Sequence, residues 1–284
     1  MGIKDFVIVN GYKFFVQEGD VLSIAHHLLP SIKNIQEIQE IEGLDKLVHL
    51  RALHIDSYGL SSMLGLEKLT GLRELHICGS EHLTRIEGLE NLTNLETLQL
   101  GGNRIERITG LENLKNLKFL YFKDPKSDDS GNPICRIEGL DELKNLELLD
   151  FFECELIRIE GLENLTKLKT LDLTENHIKE IEGLDALVNL EGLYLSGNEI
   201  SKIKGLENLK SLKKLRLDDN KIREIEGLDK LVNLEILSFT NNPLQVPGKY
   251  YIDRELLTPY LKELVNLKEL NYDPYPESGR YRLM

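Results

Sequence analysis

The sequence of 284 residues contains no tryptophan and only three cysteines, Cys78, Cys135 and Cys154. An odd number of irregularly spaced cysteines does not indicate a disulfide framework, and it favours a reducing compartment. No apolar stretch approaches the roughly 20 residues that a membrane-spanning helix needs. The N-terminus also lacks the basic start and apolar run of a secretory signal. We therefore predict a cytoplasmic protein, or a nuclear one in a eukaryote, with no membrane partner.

Basic residues are also fewer than acidic ones: the sequence has 35 Lys and Arg against 48 Asp and Glu, which gives a net charge of −13. Acidic residues are spread along the chain rather than gathered in a tail. A surface of this kind repels nucleic-acid phosphates and anionic lipids, and it favours a protein partner of basic or mixed charge. An acidity that only keeps an elongated molecule in solution explains the composition equally well.

The chain is rich in one repeated motif: Ile-x-Gly-Leu, then leucine at every third position, then Leu-x-Leu-x-x-Asn. The glycines of the motif are usually 22 residues apart and lie at Gly43, Gly65, Gly88, Gly110, Gly139, Gly161, Gly183, Gly205 and Gly227. A fixed period of this length is typical of a solenoid. No linker interrupts the repeats. We therefore predict an N-terminal cap over residues 1–37, repeats over 38–242, and a C-terminal cap and tail over 243–284.

Within one repeat, residues two apart point to the same side of an extended strand. Leu98 and Leu100 are thus predicted to face the core, whereas Gln99 faces outward. The preceding leucines have a period of three, which suits a 3₁₀ or short helical turn on the far side. Each repeat buries its apolar side only against its neighbours, so the strands should stack in parallel.

Asparagine recurs at one position of the repeat. The column comprises Asn103, Asn132, Asn176, Asn198, Asn220 and Asn242. An amide side chain can satisfy backbone groups of adjacent turns, so we predict a structural role for this column. Cys154 occupies the same position and is predicted to be buried, and the first two turns substitute Tyr58 and Ser80.

The segments IEGLENLTNLETLQLGGN and IEGLENLTKLKTLDLTEN carry this pattern most clearly. They resemble the leucine-rich repeat family in its 22-residue class, which includes the nuclear regulatory subunit of protein phosphatase 1 and the repeat domains of bacterial internalins. The resemblance implies an α/β solenoid of horseshoe shape, with a concave parallel β-sheet and a convex side of 3₁₀ or short helical turns. It also implies that the concave sheet binds proteins, without choosing the partner.

The two ends depart from the repeat. Alternating residues on both sides of Asn10-Gly11 predict a β-hairpin, and residues 21–29 that follow predict a short helix. Near the C-terminus, residues 253–267 read as helical and residues 267–272 as a last strand. Both ends are expected to cap the solenoid, since an uncapped stack exposes its core.

One interval inside the array is longer than the others, because Gly110 and Gly139 are 29 residues apart. The extra residues form a polar insertion at 123–131. Insertions in solenoids often lie on the binding face. Neutral drift explains the insertion equally well.

The register predicts an apolar patch on two adjacent turns beside the insertion, which we call the aromatic patch: Phe119, Tyr121, Leu148 and Phe152. Lys123, Asp150 and Asp172 are predicted to rim it, and Tyr194 and Arg216 to continue the binding face. Exposed aromatic clusters of this kind are typical of protein-binding hot spots. An insertion that folds back over the patch is the alternative. Phe122, Phe151 and Phe239 take inward positions and are predicted to lie in the core.

Two kinds of chemical site are conceivable on the same face. His54, Asp56, His76 and Cys78 should meet on adjacent turns and are types that bind zinc, but no paired-cysteine spacing supports a site. Asp150 and Asp172 could form an acid–base pair, yet neither a cleft nor a nucleophile accompanies them. We therefore predict no bound metal, no cofactor and no catalytic residue.

Taken together, the sequence predicts a monomeric, non-catalytic scaffold that binds a protein or peptide on its concave face. A regulatory subunit of an enzyme such as a protein phosphatase is the alternative. Nucleic acid is not an expected partner, because Lys214 and Arg216 alone do not form a basic stripe.

Overall fold

The structure is a computed structural model, and it describes residues 5–25, 34–123, 131–245 and 254–273. Residues 124–130 of the predicted insertion 123–131 therefore lie outside the described residues, as do the end of the predicted N-terminal helix and the tail from residue 274. The chain divides into two compact units, Met1–Cys154 and Glu155–Met284. We call them the first and the second unit.

Short strands dominate both units. Those of the first unit are β1 (Phe6–Val9), β2 (Tyr12–Phe15), β3 (Val21–Ala25), β4 (Ala52–Asp56), β5 (Glu74–Cys78), β6 (Thr97–Gln99), β7 (Phe119–Tyr121) and β8 (Leu148–Asp150). Those of the second unit are β9 (Thr170–Asp172), β10 (Gly192–Tyr194), β11 (Lys214–Arg216), β12 (Ile236–Ser238) and β13 (Glu269–Asn271), with the helix α1 (Arg254–Leu261) before β13.

In the first unit, β3 to β8 pair in parallel, each with the next along the chain. Leucines stand opposite leucines in this register, as in the pairing of Leu98 with Leu120. The hairpin β1–β2 stands apart from this sheet. Its first strand is tied to the start of the repeats, because the Ile8 amide donates to the Glu42 carbonyl at 3.0 Å.

The second unit repeats the same arrangement. Strands β9 to β13 pair in parallel in chain order, with Leu193 opposite Leu171 on one side and Leu215 on the other. Because the register does not slip, residues two apart on a strand fall into columns that run across the sheet. These columns decide which side chains become neighbours on its outer face.

Opposite the strands, the chain turns by 3₁₀-type hydrogen bonds. In one repeat the Leu92 amide donates to the Leu89 carbonyl at 2.9 Å, and the Leu95 amide donates to the Leu92 carbonyl at 2.9 Å. Short 3₁₀ helices at Ile38–Glu40 and Leu44–Lys46 begin the series. The predicted fold class is confirmed: each unit is an α/β leucine-rich repeat solenoid with parallel strands on one side and 3₁₀ turns on the other.

Among the described residues, the core consists mainly of leucine and isoleucine layers with three buried phenylalanine rings. Phe122, Phe151 and Phe239 are at most 1 % exposed, as their inward register predicts. In the first unit, Phe122 and Phe151 stack with ring centroids 4.9 Å apart and planes 7° from parallel. Inward positions are therefore filled completely, and function has to be sought on the outward ones.

The asparagine column is structural, as predicted, and every member is buried. Asn132 shows the pattern: its amide nitrogen donates to the Leu100 and Phe122 carbonyls at 2.8 and 2.9 Å, and its oxygen accepts from the Ile105 amide at 3.0 Å. Cys154 is buried, as predicted. The interpretation of Tyr58 is wrong, because Tyr58 is exposed. The buried hydroxyl of the preceding residue, Ser57, donates to the Ile35 carbonyl instead.

The predicted helix beginning at Val21 is also wrong over the described residues, which form strand β3. Leu22 and Ile24 are buried, whereas their neighbours on the strand are half-buried, which is the period of a sheet. The pairing of Leu22 with Leu53 outweighs any local helical preference. Near the C-terminus α1 ends at Leu261, earlier than predicted.

Two further features bear on the class of protein. Among the described residues, none of the helices combines the length and the apolar character that crossing a membrane requires. All three cysteines are free thiols, and only Cys135 is exposed.

Candidate protein-binding surface

The outward residues of β6, β7 and β8 in the first unit form two columns. Thr97, Phe119 and Leu148 stand opposite one another in one column, and Tyr121 stands opposite Asp150 in the other. Phe119, Tyr121, Leu148 and Asp150 are half-buried, whereas the leucines between them on the strands are buried. The strands thus hold three apolar side chains of the aromatic patch side by side on the outer face of the sheet.

Phe152, the fourth member of the aromatic patch, lies just after β8 and is partly covered. The ammonium group of Lys123 sits over its ring, 3.7 Å from the ring centroid. Lys123 also forms an ion pair with the Glu153 carboxylate at 3.2 Å. Lys123 is therefore a cover for Phe152 as well as the predicted rim residue, and a partner that stacks on this ring has to displace it.

The carboxylates at the strand ends have a local structural task. Asp150 accepts a hydrogen bond from the Phe152 amide at 2.8 Å, and in the second unit Asp172 accepts one from the Thr174 amide at 2.9 Å. Such contacts fix the turn that follows the strand. Burial, and secondarily the charge of Asp150, raises the pKa of the Tyr121 phenol above its ordinary value, so the phenol keeps its proton and can donate to a ligand.

The end of the insertion lies directly against the turn that carries Phe152. A Cβ atom on Gly131 would come within 2.6 Å of the Phe152 carbonyl oxygen and within 2.2 Å of the Glu153 carbonyl oxygen. Contacts that short to backbone atoms exclude every residue except glycine at this position. Gly131, the last residue of the insertion, therefore lies beside the backbone of Phe152.

The remaining predicted binding residues, Asp172, Tyr194 and Arg216, lie in the second unit. Arg216 is exposed, and Tyr194 is half-buried. The Tyr194 ring lies back along its own strand, since a Cβ atom on Gly192 would be 3.1 Å from its Cε2 atom. The small residue at position 192 thus makes room for the ring. A role of Asp172, Tyr194 and Arg216 in binding stays a prediction.

The charges that flank the strands are paired in columns of alternating sign. In the first unit, Glu96 contacts both Arg73 and Lys118 at 2.7 Å, and in the second unit Lys213 contacts Glu191 at 2.8 Å. The hydrogen bond from Lys118 is the main cause that lowers the pKa of Glu96, against a smaller opposing effect of burial. Exposed pairs of this kind add little stability. These charges are already neutralised within the fold and contribute little net field to the surface.

Sequence reasoning missed a cluster on the outer face of the second unit, the Asp218 cluster, formed by Asp218, Ser196, Ser238 and Thr240. The Asp218 carboxylate accepts hydrogen bonds from the Thr240 amide at 2.9 Å, from the Thr240 hydroxyl at 2.7 Å and from the Ser196 hydroxyl at 3.3 Å. The Ser238 hydroxyl donates to it as well. Hydroxyl residues that recur at outward positions on both sides of one aspartate could have predicted this cluster.

We expect Asp218→Asn to lower the free energy of unfolding by about 1 kcal/mol at pH 7, a figure reduced for solvent screening. Burial alone would raise the pKa of Asp218, but the hydrogen bonds from Ser238, Thr240 and Ser196 together hold this pKa below its ordinary value. The stabilisation is thus present above the ordinary aspartate pKa and is lost as the pH falls through the lowered one. Urea unfolding at pH 7 and in acid should show a difference between the two proteins that shrinks in acid. Asp229→Asn, at an exposed pair, is the control, and a difference independent of pH would contradict the expectation.

Comparison with known proteins agrees with this geometry. The family model of leucine-rich repeats matches residues 93–142, 144–186, 188–230 and 210–248. The structure of internalin C2 from Listeria monocytogenes is 30 % identical, with a TM-score of 0.61 over 72 % of this chain and 82 % of that one. The chain belongs to the leucine-rich repeat family.

Two further solved structures show the same fold at lower identity. A leucine-rich repeat protein of Leptospira interrogans is 24 % identical, with a TM-score of 0.68 over 83 % of this chain and 64 % of that one. The TLR13–ssRNA13 complex is 24 % identical, with a TM-score of 0.72 over 84 % of this chain and 35 % of TLR13. No curated protein sequence gives a significant match. Membership in the leucine-rich repeat family suggests a protein-interaction module of a generally non-catalytic kind.

Proposed function

We propose that this leucine-rich repeat protein is a non-catalytic module that binds a protein segment of basic or mixed charge on the aromatic patch of its first unit. The observation that carries the proposal is the half-buried set of Phe119, Tyr121 and Leu148 on adjacent strands. Exposed aromatic and aliphatic side chains held close together are the usual centre of a protein interface. Family membership supports the same class of function.

The preference for a basic or mixed partner rests on charge. The chain carries a net charge of −13, which steers cationic segments toward it and repels anionic ones. Next to the aromatic patch the cation Lys123 is already paired with Glu153. Asp150 then provides a carboxylate beside the Tyr121 phenol, to which a partner's lysine or arginine can bind.

Nucleic acid remains an unexpected partner. The TLR13 structure contains a single-stranded RNA, but at 24 % identity the likeness extends to the fold alone. RNA binding needs cations along the strand's path, and this chain has an acidic balance. Monomeric state and cytoplasmic location also stay predictions.

The rigidity of the surface favours binding as well. Phe119 and Tyr121 lie on a strand that is paired on both sides, and Asn132 anchors the turn below it. A surface that is already ordered loses little conformational freedom when a ligand binds. The aromatic patch is thus suited to an extended peptide with one or two apolar side chains next to basic ones.

A selection from a random peptide library against the full chain tests the proposal. We expect selected peptides to combine Lys or Arg with apolar residues. Tyr121→Ala and Phe119→Ala should each weaken their binding by about 10-fold or more, the effect of losing a hot-spot side chain. Binding should also weaken with added salt, because exposed charges are screened. Fluorescence anisotropy with one selected peptide gives the affinities.

Tyr58→Ala is the matched control, since Tyr58 is an exposed tyrosine of the same unit that lies outside the strands. It should leave peptide affinity unchanged, and circular dichroism should show all variants folded. Acidic selected peptides would contradict the charge argument. Unchanged binding by Tyr121→Ala together with Phe119→Ala would contradict the site.

A further inference from the structure

Two histidines of neighbouring strands share one carboxylate on the outer face of the first unit. The Nε2 atoms of His54 and His76 each lie 3.0 Å from the Oε1 atom of Glu74. The two imidazole rings are stacked, with centroids 4.2 Å apart and planes 12° from parallel. The Nε2 atoms of both rings therefore lie close to the same oxygen of the Glu74 carboxylate.

The register explains why these groups meet. His54 on β4 stands directly opposite His76 on β5, so the rings are neighbours in one column. Glu74 stands opposite Ala52, and the small alanine side chain leaves space for the carboxylate to reach across to His54. The cluster is thus built from two rigid, paired strands rather than from loops.

We propose that His54, Glu74 and His76 bind a divalent transition-metal ion of the Zn²⁺ type. One nitrogen or oxygen atom from each residue lies within 4.8 Å of the others. Ligands of a single Zn²⁺ bind at about 2.0–2.2 Å and therefore lie roughly 3–3.5 Å from one another, so small side-chain movements complete the site. Two imidazoles with one carboxylate form a known ligand set for zinc, which leaves a fourth position open.

Two observations support a metal over a simple ion pair. The Ser23 hydroxyl lies 3.3 Å from His54 Nδ1, so it can hold the ring in the orientation that points Nε2 toward Glu74. The second ring nitrogen of a metal-binding histidine commonly has a hydrogen-bond partner of its own. The three side chains are also 21–41 % exposed, so an ion can enter and water or a partner's side chain can take the open position.

The ligand set differs from the His54, Asp56, His76 and Cys78 set that the register of the sequence suggests. His54 and His76 meet as that register predicts, but Glu74 joins them in place of Asp56 and Cys78. Cys78 is buried, and its sulfur lies 4.0 Å from the Gln99 carbonyl. The Asp56 carboxylate points toward Gly79, just after β5, since a Cβ atom on Gly79 would be 3.3 Å from the Asp56 Oδ1 atom.

Titration of the full chain with ZnCl2 in a calorimeter tests the proposal, with Cys135→Ser as the background because Cys135 is an exposed thiol. We expect one Zn²⁺ per chain. His54→Gln, Glu74→Gln and His76→Gln should each weaken binding by at least the ~10–100-fold that loss of an outer-shell partner costs, and Ser23→Ala by about 10-fold. Co²⁺ in place of Zn²⁺ should give visible absorption without a thiolate band.

His177→Gln is the matched control. His177 forms the same contact with a glutamate, Glu155, at 3.0 Å, but no second imidazole joins it among the described residues. Its loss should leave Zn²⁺ binding unchanged. The proposal is overturned if the chain binds no Zn²⁺, or if the combined His54, Glu74 and His76 variant, shown to be folded by circular dichroism, still binds one ion with unchanged affinity.

Discussion

Replacement of Asn132 by alanine is expected to lower the free energy of unfolding by about 3–5 kcal/mol. The Asn132 side chain is fully buried and satisfies the Phe122 carbonyl and the Ile105 amide, besides sharing the Leu100 carbonyl. A buried backbone group that loses its partner costs about 1–3 kcal/mol, and two such groups lose one here. The cavity left by the amide adds to this loss.

Asn132 stabilises the repeat that contains the insertion, which is the longest repeat of the array. It is the first residue after the insertion, and its three hydrogen bonds connect the chain to the preceding turn. The next strand, β8, then pairs with β7 in the same register as the other strands. We therefore expect Asn132→Ala to loosen the aromatic patch as well as to lower the stability of the first unit.

Urea unfolding followed by circular dichroism measures the loss. Asn94→Ala is the matched control, because within the described residues the exposed Asn94 amide donates to a single carbonyl, that of Thr70, at 2.9 Å. It should cost less than about 1 kcal/mol. Equal losses for the two variants would mean that burial does not decide the contribution of an asparagine in this repeat.

The sequence predicted the inward and outward columns because two periods reinforce each other. Leucines alternate along each strand and recur in each turn, so a slip by one residue would turn Leu98 and Leu100 toward water. The same reasoning placed Phe122 and Phe151 in the core and Phe119 and Tyr121 on the outer face. A pattern that is repeated along the chain leaves little room for an alternative register.

The sequence failed where a single turn departs from the pattern. Residues Val21–Ala25 are followed by apolar residues that also suit a helix, and only pairing with β4 decides for a strand. Ser57 takes the place of Tyr58 in the first turn because a small hydroxyl fits the buried position. Such choices depend on the neighbouring turn, which no local pattern reveals.

Side chains that reach across columns escaped prediction for a different reason. Register assigns a residue to a column but does not say where the tip of a long side chain lies. Glu74 reaches from its own column to His54 and His76, and Lys123 folds over Phe152. The residues of the candidate sites could thus be proposed from the sequence, whereas their contacts required coordinates.

Replacement by alanine should lower the free energy of unfolding much more at Phe151 than at the adjacent Phe152. Phe151 is fully buried and stacks on Phe122 with centroids 4.9 Å apart, so Phe151→Ala should lower the free energy of unfolding by about 3–5 kcal/mol. Phe152 is half-buried and packs under the Lys123 ammonium, a contact worth about 0.5–1 kcal/mol at exposed sites. Phe152→Ala should therefore cost about 1 kcal/mol or less.

Peptide affinity should respond in the opposite order, with the larger loss for Phe152→Ala and the smaller one for Phe151→Ala. Phe152 is half-buried and its ring contacts the Lys123 ammonium group, so we expect Phe152→Ala to weaken binding of a selected basic peptide. Phe151→Ala should bind that peptide with nearly unchanged affinity at temperatures where the variant is folded. Lys123→Ala uncovers the Phe152 ring and also removes the ion pair with Glu153. If Phe152 contacts the ligand, this variant should bind apolar peptides more tightly. A large loss of stability in Phe152→Ala would mean that the ring belongs to the core, and the binding surface would then have to be sought elsewhere on the sheet.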